Sequence, residues 1–348
     1  MERTTVAIDL AKSVFQVAIS KRPGKTAATH RLRRADVAPF FSQHPSSMVV
    51  MEACGSSSYW GRKFQAMGHQ VVLLPPSQVH PYVRRNKTDS ADAKALLEAF
   101  RNEAIRPVPI KTVGQQSLAA LHRFRSSWQA ERTARINLIR GVLREQGILL
   151  PVGAPKVVPA VSALIEDADS EIPDALRQTL WEACREIRDL ERRVRDVANQ
   201  IEALAAQFPA YPRLRTVPGV GPLTATALLA FVGDARRFTT GRHFASYLGL
   251  TPSEHSSGLK RHLGGISKRG DSYLRMLLIH GARSVLFASQ RRQDPERLRV
   301  WALAVKERSG FNKASVALAN KLARIIWAVW RQDEAVYEPR TKGDRQAN

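Results

Sequence analysis

Cysteine is nearly absent from this chain of 348 residues: Cys54 and Cys184 stand far apart in different expected elements. Two such residues build neither a disulfide framework nor a Cys-based metal site, so a reducing cytoplasm is the default setting. Long apolar runs are missing too. No stretch reaches the roughly 20 residues of a transmembrane helix, and the N-terminus does not read as a signal peptide. Internal repeats are absent. Acids are scarce: 31 Asp and Glu face 54 Lys and Arg, for a formal net charge of +23 and a pI near 10.8. Surface solubility alone does not call for such an excess. It points to a polyanionic partner, nucleic acid ahead of an anionic membrane.

What is present suffices for a folded protein. The hydrophobic fraction of 44% is that of a chain with a buried core, and the length allows more than one domain. The first hundred residues read as α/β. "TTVAIDLAK" alternates Val6 and Ile8 toward Asp9, as a strand does. "SVFQVAISK" and "ATHRLRRA" extend it to an antiparallel meander. "MVVMEACG" is a short buried strand ending at Glu52, and "SSYWGRKFQAMG" is a helix that stops at Gly68. "HQVVLLPP" is another buried strand, halted by Pro75 and Pro76. A helix from Asp89 to about Arg101 follows. The order β-β-β-α-β-α-β-α predicts a mixed sheet with helices, occupying 1–110.

Beyond this the strand pattern disappears. Gln115 to Gly147 reads as one long basic helix with Leu118, Leu121, Trp128, Ile136, Ile139 and Leu143 as core candidates. "LLPVGAPKVVPA" breaks it. Asp174 to Gln207 then has Leu176, Leu180, Cys184, Ile187, Leu190, Val194, Val197, Ile201 and Leu204 stepping by three and four. That is an a/d seam, which makes 111–208 a coiled-coil hairpin or dimerisation arm. Residues 209–332 form a third, helical region, and 333–348 a polar tail.

Four acids draw attention. Asp9 and Glu52 each end a strand, and Asp89 and Asp92 open a helix beside Arg84, Arg85 and Lys87. Singly they read as a turn residue, a surface acid and a helix cap with its first-turn charge. Together they read otherwise, because an acid at the end of a buried strand is costly unless paired or metal-bound. Acids at those positions converge in a ribonuclease H-like fold. There they can hold two divalent cations for phosphodiester chemistry, while Arg84, Arg85 and Lys87 grip the nucleic-acid backbone.

Two later segments also suit nucleic acid. "VPGVGPLTA" sets Gly219 and Gly221 between helical stretches, the pattern of a helix-hairpin-helix whose glycines admit a phosphate. A plain turn between helices is the bland alternative. From Ala245 to Arg275, serines and glycines alternate with Lys260, Arg261, Lys268, Arg269 and Arg275. This is either a solvated basic loop or a hydroxyl nucleophile among cations that stabilise charge on phosphorus. His255 and His262 flank it as ordinary polar loop residues or proton relays.

"AIDLAK", "MEACG", "KTDSADA", "VPGVGPLTA", "YLGLTPSEHSSG" and "ISKRGDSYLR" occur in this order. With them the chain resembles, over nearly its whole length, the DEDD-type transposases of the IS110 family of insertion sequences. The resemblance implies a RuvC-like N-terminal domain whose tetrad, here Asp9, Glu52, Asp89 and Asp92, binds Mg²⁺, with two ions possible. It implies a C-terminal transposase domain with an essential serine before a glycine. Ser257 matches that position best and Ser256 is the near alternative. In the family the serine becomes joined to DNA, dimers pair into tetramers through the coiled coil, and the active site combines two subunits. Many members use a structured RNA from the element's flank to pair donor and target DNA. A bacterial, cytoplasmic, nucleoid-associated recombinase is the expectation. Two rivals keep part of the pattern. A RuvC-like Holliday-junction nuclease using water retains the tetrad, and a non-catalytic nucleic-acid-binding scaffold retains the charge.

Overall fold

The computed structural model describes residues 4–22, 25–83, 89–258, 260–291 and 296–339. The chain divides into two compact units, Met1–Val113 and Gly114–Asn348.

The first unit is built on five strands in the order β3-β2-β1-β4-β5. These are β1 (Thr5–Asp9), β2 (Val14–Arg22), β3 (Lys25–Arg33), β4 (Met48–Glu52) and β5 (Gln70–Leu74). The three N-terminal strands form the expected antiparallel meander, while β1–β4 and β4–β5 pair in parallel. The sheet is therefore mixed, as the sequence predicts. Helices α1 (Val37–Gln43), α2 (Ser57–Ala66), α3 (Pro76–Val79) and α4 (Asp89–Phe100) surround it. Strand alternation sorts the core into two layers. Val6, Ile8, Phe15, Val17, Val49 and Met51 pack with Phe41, Trp60 and Phe64 on the α1/α2 face. Ala7, Ala18 and Val50 pack with Ala93, Leu96 and Leu97 of α4 on the other. The small Ala7 and Ala18 let α4 lie close over β1 and β2.

The second unit is helical. Two long helices, α5 (Val113–Glu145) and α7 (Asp174–Ala205), run antiparallel and each serves two cores. The end of α5 (Ile136, Ile139, Leu143) meets the start of α7 (Leu180, Cys184, Ile187) in a small distal core. The start of α5 (Leu118, Ala119) meets the end of α7 (Val197, Ile201) in the main core. Ion pairs Arg132–Glu191 at 2.9 Å and Arg135–Glu186 at 2.6 Å join the helices between the two cores. The Pro-containing break is shorter than the sequence suggests, because α6 (Val157–Glu166) starts inside it. Val157 and Val161, four apart, enter the distal core, and Pro159 falls in the first turn, where its missing N–H costs nothing.

The main core is completed by α8 (Ala210–Arg215), α9 (Pro222–Phe231), α10 (Gly241–Tyr247), α11 (Ser272–Ser289), α12 (Arg297–Ser309) and α13 (Phe311–Arg331). Between α10 and α11 stands a small antiparallel hairpin, β6 (Pro252–Glu254) and β7 (Leu263–Ile266). It occupies the segment that reads as loop from composition.

Candidate active site

Asp9 and Glu52 are brought together by strand pairing. β1 and β4 are parallel neighbours with Ile8 opposite Met51, so the next residues, Asp9 and Glu52, lie level at the C-terminal edge of the sheet. Adjacent strands are about 4.8 Å apart. Ile8 and Met51 face the α1/α2 layer, whereas Ala7 and Val50 face α4. Alternation therefore turns both carboxylates toward the α4 side, and both residues are half-buried.

Helix α4 carries Asp92, the third of the expected acids. Asp92 stands one turn before Leu96, which packs on Ala7 and Val50, so the two share a helix face. Its Oδ1 is buried and has no hydrogen-bond partner among the described residues. Carboxylate oxygens left without a donor are costly. An all-oxygen donor set suits a hard divalent cation. Asp89 opens α4, but its side chain lies outside the described residues, as do Arg84, Arg85 and Lys87. Among the described residues, no three acids, histidines or cysteines close into a metal-holding cluster.

The serine segment is a hairpin tip. Ser257 and Lys260 exchange backbone bonds, Ser257 N–H to Lys260 O at 3.3 Å and Lys260 N–H to Ser257 O at 3.2 Å. Gly258 sits at φ +57° in the turn. The two serines differ in what they touch. Ser256 Oγ donates to Glu254 Oε1 at 2.8 Å and accepts from His262 N–H at 3.2 Å. It thereby pins one strand to the other. Glu254 also takes Arg261 Nε at 3.1 Å. The Ser256 hydroxyl and Arg261 together hold the Glu254 carboxyl below its usual range. The Ser257 hydroxyl has no hydrogen-bond partner among the described residues and is exposed. His255 donates its backbone N–H to His262 O at 2.9 Å, and both rings are on the exposed surface.

The base of the hairpin explains the flanking motif. At Gly249 (φ +71°) a Cβ would lie 2.0 Å from Arg269 O, and at Gly270 (φ +87°) 2.1 Å from Tyr247 O. The two chain segments cross at backbone contact, which only glycine permits. Lys268, at φ 53°, completes the crossing. Arg275 Nη1 donates to Leu248 O and Arg269 O, each at 3.4 Å. Asp271 caps α11 by accepting Leu274 N–H at 2.9 Å. Lys260 and Arg261 remain exposed near the tip, and Lys268 and Arg269 are exposed at the base.

The "VPGVG" turn joins α8 to α9. Val220 N–H bonds Val217 O at 3.0 Å, with Pro218 and then Gly219 at the centre, the residue order of a type II turn. Gly219 (φ +75°) is pressed against α11, since its Cβ would meet Gly281 O at 2.6 Å. Gly221 caps α9, and open space lies where its side chain would be.

One residue that pattern reading passes over is His122, buried in α5. Its Nε2 is 2.9 Å from Thr226 Oγ1 of α9, and its Nδ1 is 3.0 Å from Tyr273 Oη of α11. Burial, with a smaller push from Arg125, lowers its pKa to about 4. Its signal in the sequence is only a histidine one turn after Leu118 and Ala119 on the inward face of a helix.

Comparison with known proteins agrees with this architecture. A model of DEDD transposases of the IS110 type matches residues 6–147, and one described as the transposase IS116/IS110/IS902 family matches 211–297. A probable family 20 transposase of Pseudomonas aeruginosa is 42% identical over 97% of this chain and 100% of its own. The transposase for insertion sequence element IS1111A of Coxiella burnetii is 38% identical over 94% of this chain and 90% of its own. A pilin gene-inverting protein of Moraxella bovis is 24% identical over 96% and 97%. With the sheet edge, the hairpin and both halves of the chain matched, the protein belongs to the IS110 family and is a DNA transposase.

Proposed function

We propose that this transposase excises and inserts its insertion sequence by strand exchange, with Ser257 as the nucleophile that becomes joined to DNA. The observation that carries the reading is the pair of acids, Asp9 and Glu52, side by side at one sheet edge. Asp9 and Glu52 stand level there, on the side of the sheet covered by α4, whose Asp92 keeps a buried oxygen without a partner. These three, with Asp89, would hold Mg²⁺, and four carboxylates would supply oxygen donors for as many as two ions. When bound, the cation supplies Lewis-acid stabilisation of charge on the phosphate oxygens.

The chain's own residues do the rest. The Ser257 hydroxyl gives up its proton and its Oγ forms a bond to phosphorus. The bond from phosphorus to the departing sugar oxygen breaks, and that oxygen takes a proton. The phosphodiester energy is kept in the serine ester, so a second strand's hydroxyl can later displace Ser257 without an external energy source. Lys260, Arg261, Lys268, Arg269 and Arg275 counter the charge that builds on the phosphate. Ser256 serves the hairpin, which favours Ser257 as the attacking group. Arg84, Arg85 and Lys87 and the turn at Gly219 and Gly221 hold the DNA backbone.

The assignment extends to partners and parts. Residues 1–110 act as the RuvC-like metal-binding domain, 111–208 as the coiled-coil arm, and 209–332 as the serine-bearing domain. Phe124 and Leu138 are more than half exposed on α5, which supports the arm as a dimer contact, with dimers pairing into tetramers. A structured element-encoded RNA accounts for the net charge of +23 better than DNA alone.

Adduct trapping tests the reading. The protein is expressed with its native element and flanks, the cells are denatured, and protein-bound DNA is probed. An adduct is expected in wild type, reduced but present in Ser256→Ala, and lost in Ser257→Ala and Asp9→Ala. Cleaved DNA without adduct, still dependent on Asp9, would sink the serine step in favour of water.

A further inference from the structure

We propose that Tyr59, Trp60, Arg34 and Lys63 form a stacking platform for an unpaired nucleotide of single-stranded DNA. The inference rests on DNA being the substrate and deepens that reading by naming where a separated strand is held. The cluster is built around one indole. Trp60 is buried at 3% exposure and meets Phe15 and Tyr59 edge-on, each with ring centroids 5.4 Å away. Arg34 Cζ lies 5.5 Å from the Trp60 ring and 5.8 Å from Phe15. Lys63 Nζ lies 5.4 Å from Trp60 and 5.9 Å from Tyr59. Two cations are thus seated on aromatic faces at distances where the attraction is effective.

The charge is uncompensated. Asp36, close in sequence, is taken by Arg33 at 2.9 Å. Among the described residues, Lys12, Arg34 and Lys63 make no ion pair with an acid. Arg34 further ties itself to the β1–β2 turn, where its N–H bonds Ser13 O at 2.8 Å and its Nη1 reaches Lys12 O at 3.4 Å. This holds the backbone of Lys12 beside the cluster.

The apolar part has the size of one ring. Tyr59 is 47% exposed, and the unit's only other large exposed apolar side chain among the described residues is Val113 at its boundary. A protein partner needs about 800 Å² per side with a contiguous apolar centre, which a single tyrosine does not offer. A base offers a flat face of matching size together with a phosphate for the cations. In a duplex that face is covered by the neighbouring pair, so the nucleotide must be unpaired.

The location fits a strand in exchange. Tyr59 is in the first turn of α2, which follows β4 by a few residues. The platform therefore stands at the sheet edge that carries Asp9 and Glu52, on the opposite, α1/α2 face. A strand parted from its complement at the carboxylates can pass over this edge and be held on Tyr59.

The test uses the full chain in EDTA, which withdraws the divalent cation that the proposed cleavage needs, with a labelled mixed-sequence 15-mer as single-stranded DNA, as duplex and as RNA. Tyr59→Ala should weaken the single-stranded DNA roughly tenfold, the size of one base stack, and the duplex less than twofold. Tyr59→Phe should keep wild-type affinity, and Lys63→Ala should weaken the single strand. A 15-mer carrying iododeoxyuridine should crosslink to the peptide holding Tyr59. The proposal is overturned if Tyr59→Ala leaves the single strand unchanged, weakens duplex equally, or affects RNA alone. It is equally overturned if Tyr59→Phe behaves like Tyr59→Ala, or if crosslinks fall only elsewhere. Binding is read without chemistry, so a missing serine adduct would sink the strand-exchange reading while leaving this result standing.

Discussion

His122 gives the sharpest quantitative prediction. Thr226 Oγ1 donates to Pro222 O at 2.7 Å, so at 2.9 Å from His122 Nε2 it must accept. The imidazole is therefore the Nε2–H tautomer, and its Nδ1 accepts from the Tyr273 hydroxyl at 3.0 Å. A second proton on Nδ1 would face a donor and stand in a dry core beside Arg125. The folded-state pKa is accordingly about 4 against 6.5 for a free histidine. Because the folded value is depressed, the unfolded chain binds the extra proton first as pH falls. The stability tied to this residue is whole above pH 6.5 and is lost as pH falls from there toward 4. The gap between those values corresponds to about 3 kcal/mol. His122→Gln can keep one of the two bonds and cannot titrate. It should be about 1–2 kcal/mol less stable than wild type at pH 8, from the lost bond and packing. The difference should shrink and then reverse toward pH 4.5. Urea unfolding at steps between pH 8 and 4.5 reads this directly, since carboxylates common to both proteins cancel in the difference. Parallel stability curves for the two proteins would refute the buried neutral histidine.

Two further outcomes follow from single contacts. Gly219→Ala should cost about 2 kcal/mol or more in thermal unfolding, from positive φ and the clash with Gly281 O. Gly221→Ala, with φ −79° and open space, should unfold like wild type, so any defect it shows in DNA binding reports on the turn's outer surface. Asp92→Ala should abolish DNA cleavage while thermal stability in EDTA holds or rises, because the substitution removes a buried oxygen that has no donor among the described residues. A fall in stability would show that the carboxylate is structural.

The sequence was most legible where one element suffices to explain a residue. The alternation of Val6 and Ile8 and the proline stop after Leu74 place strands without reference to anything distant. The seam from Leu180 to Ile201 likewise depends only on helical period. The acids were legible because each ends a strand or opens a helix. That Asp9 and Glu52 share one face of one edge needs the β1–β4 register. The hairpin at Ser257 was not legible, since strands of three and four residues rich in glycine and serine have no β signal. Ser256 and Ser257 could be told apart only through Glu254 on the same arm and His262 on the opposite arm, both of which bond Ser256. His122 stayed hidden because its partners lie 104 and 151 residues away in the chain. The glycine crossing at Gly249 and Gly270 is a fact about two segments, and neither glycine announces it alone.

The sharing of α5 and α7 between two cores has a mechanical consequence. A helix of 32 residues is a rod about 48 Å long at 1.5 Å per residue. Clamped to a second rod by Arg132–Glu191 and Arg135–Glu186 and anchored at both ends, it transmits displacement instead of bending. A tilt of about five degrees at the main core moves the far end by about 4 Å, from the same rod length. At that far end Leu149 and Val152 project 80% and 89% exposed. The pair works as a calliper arm: whatever its apolar tip rests on is held at a distance set by helix length, and a small rotation at one end is magnified at the other.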